Sequence, residues 1–598
     1  MTLLKHWKYN KGEDIVVTQL KGLVNSNPAV SLIESEKVVF NPHSDTSKKI
    51  TLISGGGAGH EPLHAGYVGD NLLDAAVSGS VFASPSTKQI MSAIKAKSDK
   101  EKGTIMVVKN YTGDILHFGL VAERAKSEGY KIEMVTVSDD VAVGRAQNKM
   151  VGRRGLAGTA LVHKILGAAV NSDKGGDLKD VADLGNAINK NMVTLSASLD
   201  RTSVPGRGEQ DIEFNNEDEA ELGLGIHNEP GTKISPIPNI DELIRGMFEK
   251  LLSPEDKDRH YVEFALGDEY VLLINNIGGT SSFELYAITQ HVIENLPLSK
   301  RPKRIYVSDF VTSFNSPGFS ITLLNLNNLT KEIINFNVDD VLAYLDAPTN
   351  APGWKPKIYD PELWTKHQQK DNKQVISSTD EENIVTSDLV IDEEEFSHRL
   401  RNAMHLLLDR ESKITHYDSI VGDGDCGETL AKGANEILQA LDNDYVFQKH
   451  LSDPVATLYS ITEIVENSMG GTSGGLYSIF LTALVKSLKS SVEINIETVA
   501  EALNSAMYDG LFKYTKARVG GRTLVDTLQP FVDSVKKSGD LKEALKSAQA
   551  GCESTKKLQA SFGRASYVNE DEFKAEGGIP DPGAVGLLAI IEGFLKDL

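Results

Sequence analysis

Cysteine is nearly absent from this chain of 598 residues: only Cys426 and Cys552 occur, with no paired spacing. That excludes a disulfide framework and a cysteine zinc site, and it points to a reducing compartment. Long apolar runs are missing too. No stretch approaches the roughly 20 residues of a membrane span. The opening Met-Thr-Leu-Leu-Lys-His-Trp-Lys lacks the apolar core of a secretory signal, and the closing Lys-Asp-Leu is not Ser-Lys-Leu. A cytoplasmic location with no membrane partner is expected. Positive charge is scarce: 62 Lys and Arg stand against 84 Asp and Glu, a net charge of −22. This argues against nucleic acid or an anionic bilayer as partner, so any anionic ligand must be met by local groups. No internal repeat stands out, which sets aside the solenoid architectures.

The length is too great for one core and predicts two to four domains. Between about residues 50 and 345, short β-rich runs (50–53, 104–108, 132–137, 271–274 and 304–307) end in glycine or polar turns, with helical patterns between many of them. The alternation predicts an α/β fold with a largely parallel sheet. Ser84-Pro85 reads as the capped start of a helix with Ile90, Met91 and Ile94 on one face. Beyond 393 the pattern is helical throughout. Phe396, Leu400, Ala403, Met404, Leu407 and Leu408 recur at steps of three and four, with similar stripes near 430–441, 457–467, 498–511 and 584–595. The expected organisation is an α/β half over 1–346, a linker over 347–392 and an all-α bundle over 393–598. The polar tract 370–383 carries the linker reading.

The richest segment is Asp418-Ser-Ile-Val-Gly-Asp423-Gly-Asp425-Cys-Gly-Glu-Thr429, three carboxylates on a glycine-hinged turn. Two carboxylates about 4 Å apart repel by roughly 4 kcal/mol at an effective dielectric of about 20, so such a cluster asks for a divalent cation. Oxygen-only ligands favour Mg²⁺ or Ca²⁺ over zinc, and the spacing is not that of a calcium loop. An acidic turn that merely caps the next helix is the competing reading. Ser468-Met-Gly-Gly-Thr472-Ser473-Gly-Gly475 precedes an apolar helix and offers backbone N–H groups and hydroxyls to phosphate, unless its glycines serve only close packing.

In the first half, 50–54 runs into Gly55-Gly56-Gly57-Ala58-Gly59-His60-Glu61-Pro62, a glycine loop at the carboxyl end of a strand, where open α/β sheets place ligands. It matches neither the Walker loop nor the dinucleotide fingerprint. The strand over 104–108 runs into Lys109-Asn110-Tyr111-Thr112-Gly113-Asp114. If the two strands are neighbours, His60 and Asp114 share one edge, and a carboxylate there can accept a hydroxyl proton. Asp139-Asp140 is assigned to turn or cap duty. His227, within Glu221-Leu-Gly-Leu-Gly-Ile-His-Asn-Glu-Pro-Gly231, is read as base, ligand, nucleophile or structural residue. Arg518, Arg522 and Arg564 are read as phosphate neutralisers or as solvated surface residues.

Six segments in this order carry a resemblance that runs essentially end to end: Ser-Gly-Gly-Gly-Ala-Gly-His-Glu-Pro, Lys-Asn-Tyr-Thr-Gly-Asp, Gly-Ile-His-Asn-Glu-Pro-Gly, Gly-Asp-Gly-Asp-Cys-Gly, Met-Gly-Gly-Thr-Ser-Gly-Gly and Asp-Pro-Gly-Ala. The chain resembles the ATP-dependent dihydroxyacetone kinases of the single-chain eukaryotic type. Ala58 stands where the family often has Ser, a change that spares a loop made of backbone contacts.

The resemblance implies that 1–346 is a substrate-binding α/β domain of two subdomains, that 393–598 is a nucleotide-binding all-α barrel or bundle, and that His227 binds the carbonyl of dihydroxyacetone or glyceraldehyde as a hemiaminal. His60 and Asp114 activate the attacking hydroxyl, Asp114 as general base, while Gly57, Ala58, Gly59, His60 and Lys109 hold the triose. It assigns Cys426, Gly427, Glu428, Thr429, Thr472, Ser473, Asp581, Pro582 and Gly583 to the nucleotide. Asp418, Asp423 and Asp425 would bind two Mg²⁺ ions bridging the phosphates of ATP, and a homodimer would pair the domains across chains. Three rivals are weighed. Bacterial relatives use ADP recharged by a phosphocarrier, which a single chain without a carrier domain disfavours. Cleavage of FAD to AMP and cyclic FMN would need the helical domain and a metal but not His227. A triose-binding regulator would bind without turnover.

Overall fold

The structure, a computed structural model, describes residues 6–146, 152–205, 218–369, 384–559 and 578–598. The polar tract 370–383 and Arg564 lie outside them. The chain forms two compact units, Met1–Ile376 and Ser377–Leu598.

The first unit is α/β and holds two six-stranded sheets. The first sheet contains β1 (Ser31–Ile33), β2 (Val38–Phe40), β3 (Thr51–Ala58), β4 (Ala75–Val81), β5 (Thr104–Lys109) and β6 (Ile132–Val137). Their spatial order is β1-β2-β4-β3-β5-β6. β4, β3, β5 and β6 run parallel, with β3 and β5 adjacent in the register Thr51↔Thr104 to Ser54↔Val107. β3 and β5 are buried throughout, which is why they read as apolar or glycine runs without alternation. Their shared carboxyl edge carries both His60 and the Lys109–Asp114 segment.

The second sheet contains β7 (Met192–Ser198), β8 (Ala220–Leu222), β9 (Thr232–Ile234), β10 (Tyr270–Asn276), β11 (Arg304–Ser308) and β12 (Gly318–Asn325). Its order is β11-β10-β12-β7-β8-β9. Here the expectation of parallel pairing fails. Only β10 and β11 are parallel; the other four pairs are antiparallel. A parallel pair needs a crossover of a dozen or more residues, and the short turn between β8 and β9 leaves only a hairpin return. That turn carries His227.

The helix expected to start at Ser84-Pro85 spans Thr87–Lys97, and its cap is Ser86, whose hydroxyl and the Gln89 side chain form a reciprocal capping box. Ile90, Met91 and Ile94 are buried on one face, as expected. Ser84 is left free for a different partner, Asp114.

The first unit continues beyond residue 346. Trp354 is 1% exposed and packs its ring 5.0 Å from Tyr306 and 5.5 Å from Phe310, and Trp364 joins the same core. At the far end of the 347–392 stretch, Leu389 is buried with Val455 and Leu488 in the second unit.

The second unit is all helical among the described residues, the long helix Glu393–Val421 being followed by Cys426–Asn443, Pro454–Ser468, Gly471–Lys489, Ile496–Ser505, Val525–Ser538, Leu541–Ser554 and Pro582–Phe594. A side chain at Gly427 would place its Cβ 2.2 Å from Thr415 Oγ1 and 2.6 Å from the Glu411 carbonyl. Glycine there lets the first two of these helices touch backbone to backbone, which fixes the acidic turn between them. No described helix is long and apolar enough to cross a membrane.

Candidate functional site

The glycine segment of the first unit is mostly strand: β3 extends through Gly55, Gly56 and Gly57 to Ala58. The turn itself begins at Gly59, whose φ of +107° and whose crowding by the Phe82 and Phe314 rings, 2.7 Å from an added Cβ, admit no side chain. The turn delivers His60 into a buried position. Its Nδ1 donates to the Thr312 carbonyl at 2.9 Å, and its ring stacks on Phe82 with centroids 5.1 Å apart. A carbonyl only accepts, so Nδ1 carries the proton and Nε2 presents a lone pair. That lone pair faces His227 Nε2 at 3.0 Å. Burial, then the positive charges of Lys109 and His227, hold His60 well below the usual imidazole range.

His227 is oriented by Glu229. The carboxylate accepts from the His227 backbone N–H at 2.9 Å and from Nδ1 at 2.8 Å. With both Nδ1 atoms donating elsewhere, the 3.0 Å contact between the two Nε2 atoms holds one shared hydrogen, and once that hydrogen leaves, His227 Nε2 presents the lone pair a nucleophile needs. Tyr111 meets the ring edge-on at 4.6 Å and Phe82 at 5.3 Å. Burial opposes the charge on Glu229, but the hydrogen bonds and charge of His227 and the charge of Arg154 outweigh it and bring the carboxyl down to about 2.

Lys109, buried at the end of β5, sets its ammonium 5.4 Å from the Tyr111 ring centre, and burial lowers its pKa against the attraction of Asp114, Glu229 and Glu61. Asp114 lies in the first turn of the helix Thr112–Ser127, where the helix dipole favours an anion. It is 4% exposed, and its Oδ1 accepts the Ser84 hydroxyl at 2.5 Å. The pocket thus gathers His60, His227, Lys109 and Asp114 from two sheets, without a direct hydrogen bond between His60 and Asp114. Asp139 and Asp140 stay out of it: Asp139 accepts from the Leu156 and Gly158 N–H groups at a helix start, and Asp140 pairs with Arg154 at 2.6 Å.

Sequence reasoning missed Glu229, Thr312, Phe82 and Ser84. Glu229 had a signal, since it sits two residues from His227 in a quoted segment. Thr312 acts through its backbone and is brought in from 252 positions away, so no residue pattern marks it.

In the second unit, Asp418 ends one helix, Asp423 lies in the turn and Asp425 precedes the next helix; one oxygen from each lies within 4.8 Å of the others. Asp418 is buried, the other two exposed. Asp418 Oδ2 accepts the Cys426 N–H at 3.0 Å, and Gly424 makes the turn at φ +82°. An all-oxygen set of this kind, half open to solvent, fits a hard dication such as Mg²⁺.

Cys426 opens the helix after the turn. Burial, then the charges of Asp418 and Asp581, push its thiol up to about 12, so it is a neutral filler rather than a nucleophile. Ser473 opposes that rise from across the gap, because the starts of the helices Cys426–Asn443 and Gly471–Lys489 pack together. Among the described residues neither start has a side-chain cap, whereas Asp392, Asp444, Asp453 and Asp540 cap their own helices. Two helix starts without an N-cap side chain, with Gly427, Glu428, Thr429, Thr472 and Ser473 on their first turns, keep N–H groups open to an anion, although Asp418 takes the Cys426 N–H.

Asp581 caps the helix Pro582–Phe594 through the Ala584 N–H at 2.8 Å, with Gly583 in the same turn. Its carboxyl is pushed up to about 7 by burial; the Ala584 bond and Arg522 oppose this, and Asp526 and Asp418 add to it. Arg522 is no surface residue: it is buried and donates to the Thr555 and Ile579 carbonyls, holding the approach to Asp581. Arg518 stacks 3.7 Å over Phe512.

An α/β unit with a pair of facing histidines, followed by a helical unit whose acidic turn adjoins helix starts without N-cap side chains, defines a two-part small-molecule kinase. In keeping with this, residues 21–353 match the Dak1 domain family and residues 420–596 the DAK2 domain family. The chain belongs to the dihydroxyacetone kinase family. It is 51% identical to the dihydroxyacetone kinase of Komagataella pastoris, covering 99% of this chain and 98% of that one. It is 35% identical to the Triokinase/FMN cyclase of Mus musculus over 98% of both. The crystal structure of the C. freundii dihydroxyacetone kinase in complex with AMP-PNP and Mg²⁺ matches with a TM-score of 0.65 and 29% identity, covering 100% of both chains.

Proposed function

We propose that this chain phosphorylates dihydroxyacetone, and glyceraldehyde as a second acceptor, at the expense of Mg-ATP. The observation that carries the reading is the Nδ1 contact of His227 with Glu229, which makes Nε2 the ring's nucleophilic atom once the hydrogen it shares with His60 Nε2 has left. Attack on the substrate carbonyl forms the Nε2–C bond while the carbonyl oxygen takes up a proton and becomes a hydroxyl. A carbonyl carbon is electrophilic and an alcohol carbon is not, which selects a short ketone or aldehyde over glycerol. Gly57, Ala58 and Gly59 let the backbone approach the triose, and Lys109 supplies a fixed positive charge. Asp114 accepts the proton of the hydroxyl that attacks the γ-phosphate.

In the helical unit, Asp418, Asp423 and Asp425 would hold Mg²⁺, two ions by family resemblance. Bound there, the metal supplies charge neutralisation of the triphosphate. Cys426 to Thr429, Thr472, Ser473 and the 581–583 turn meet the nucleotide, chiefly through N–H groups and hydroxyls. With the Cys426 thiol protonated, direct transfer needs no phosphoenzyme, and positioning carries most of the rate. Residues 1–346 would then act as the acceptor domain and 393–598 as the donor domain, in a cytoplasmic homodimer that pairs them across chains. Two free cysteines support the reducing compartment.

A coupled assay with ATP, Mg²⁺ and each acceptor tests the reading: turnover that needs His227 is expected, and triose capture without Mg²⁺-dependent turnover would replace it with a regulator. The name of the mouse relative motivates a second reading, FAD cleavage to cyclic FMN. His227→Ala separates the two, abolishing triose phosphorylation and leaving FAD cleavage standing.

A further inference from the structure

Behind the glycine strand lies a pair of buried histidines outside the set already assigned. His64 Nδ1 is 2.9 Å from Ser54 Oγ and 3.1 Å from His163 Nε2. The Ser54 hydroxyl donates to the Val107 carbonyl at 2.6 Å, so its hydrogen is spent and His64 Nδ1 must be the donor in their contact. The remaining nitrogen, His64 Nε2, is then a lone pair. It has no hydrogen-bond partner although the residue is only 4% exposed. Burial, then the charges of Lys109, His163 and His60, hold His64 well below the usual imidazole range, so it stays neutral.

This lone pair is aimed. A Cβ built on Gly56 would lie 3.3 Å from His64 Nε2 and 3.5 Å from Asp114 Oδ2. Two acceptors, an imidazole nitrogen and the carboxylate of the general base, close in on the same glycine of β3, where a side chain would crowd both. Buried acceptors of this kind are costly unless a donor meets them. We propose that His64 is a positioning residue for phosphoryl transfer: through Nε2 it accepts a hydrogen bond from an O–H group held over Gly56, and so fixes that group against Asp114. The inference rests on the kinase reading with Asp114 as base. The O–H belongs to the triose or to a bound water.

Two substitutions in the full-length protein test it. In His64→Asn the amide nitrogen replaces Nδ1 and keeps the Ser54 bond, but the acceptor over Gly56 is gone. In His64→Gln the amide oxygen replaces Nε2 and restores that acceptor while the Ser54 bond is lost. The Asn variant should lose roughly tenfold or more in kcat/KM for dihydroxyacetone, the usual scale for one buried hydrogen bond, and Gln should recover most of it. A packing role predicts the reverse order, because Gln discards the internal bond. A rise in KM for the triose assigns the O–H to substrate, and a fall in kcat alone assigns it to water. Gly56→Ala offers a route that leaves His64 in the chain: its methyl would stand 3.3 Å from His64 Nε2 and should lower kcat/KM in a protein that still folds. Wild-type turnover in His64→Asn or Gly56→Ala, or a Gln variant worse than Asn, overturns the proposal. A wild-type chain that phosphorylates no triose overturns the kinase reading instead.

Discussion

Glu229→Gln isolates the group that prepares His227. The carboxylate sits 2.8 Å from His227 Nδ1, and its pKa falls from the ordinary 4.5 to about 2, with burial opposing and the hydrogen bonds and charge of His227 and the charge of Arg154 prevailing. At about 1.36 kcal/mol per unit, that depression is on the order of 3 kcal/mol of preference for the charged form. The folded pKa is the lower one, so this contribution is present above about pH 4.5 and is lost as pH falls toward 2. At working pH the carboxylate is charged, and alkylation of His227 Nε2 creates an imidazolium beside it. Gln can keep one hydrogen bond but not the counter-charge. Charged hydrogen bonds contribute about 1.5–3 kcal/mol, so kcat/KM for the triose should fall roughly 10- to 100-fold. A coupled kinase assay gives this number, while the KM for ATP should be unchanged because Glu229 lies in the other unit. A folded Glu229→Gln protein with wild-type kcat/KM, or one that loses ATP affinity instead, would refute the reasoning.

Asp423→Asn should abolish turnover while calorimetry still detects triose binding, and the thermal shift given by Mg-nucleotide should disappear. Cys426 should resist thiol reagents at pH 8. Its pKa moves from 9 to about 12, which cuts the thiolate fraction roughly a thousandfold, and a reaction rate equal to that of a free thiol would contradict this. Gly427→Ala drives a methyl into the Glu411 carbonyl and Thr415 hydroxyl and should cost about 2–4 kcal/mol in urea unfolding of the helical unit.

Much of this was legible in sequence because the chemistry is concentrated in short segments. The acidic turn, the glycine strand and the His227 hairpin each place their residues within about a dozen positions, and the helical half repeats its apolar stripes at steps of three and four. What escaped depended on distance or on backbone. The second sheet looked parallel because its strands are as apolar as those of the first, and pairing direction leaves no mark on composition. Ser84 looked like a cap because Pro85 follows it, but Ser86-x-x-Gln89 forms the better box and Ser84 turns to Asp114. Arg522 looked solvated by type, while its carbonyl partners lie 33 and 57 residues away. Trp354 sits within the 347–392 stretch read as a linker, yet its ring completes the core around Tyr306 and Phe310.

The Thr312 carbonyl belongs to the stretch between β11 and β12, on the second sheet, yet it steers an imidazole supplied by the first. Of the two nitrogens that meet at 3.0 Å, one is mounted on the first sheet and aligned by a loop of the second, and the other is both mounted on and aligned by the second. Any slippage between the layers would register at once as a change in that single gap. Neither sheet can be exchanged or trimmed alone without detuning the pocket, and the first unit must evolve as one piece.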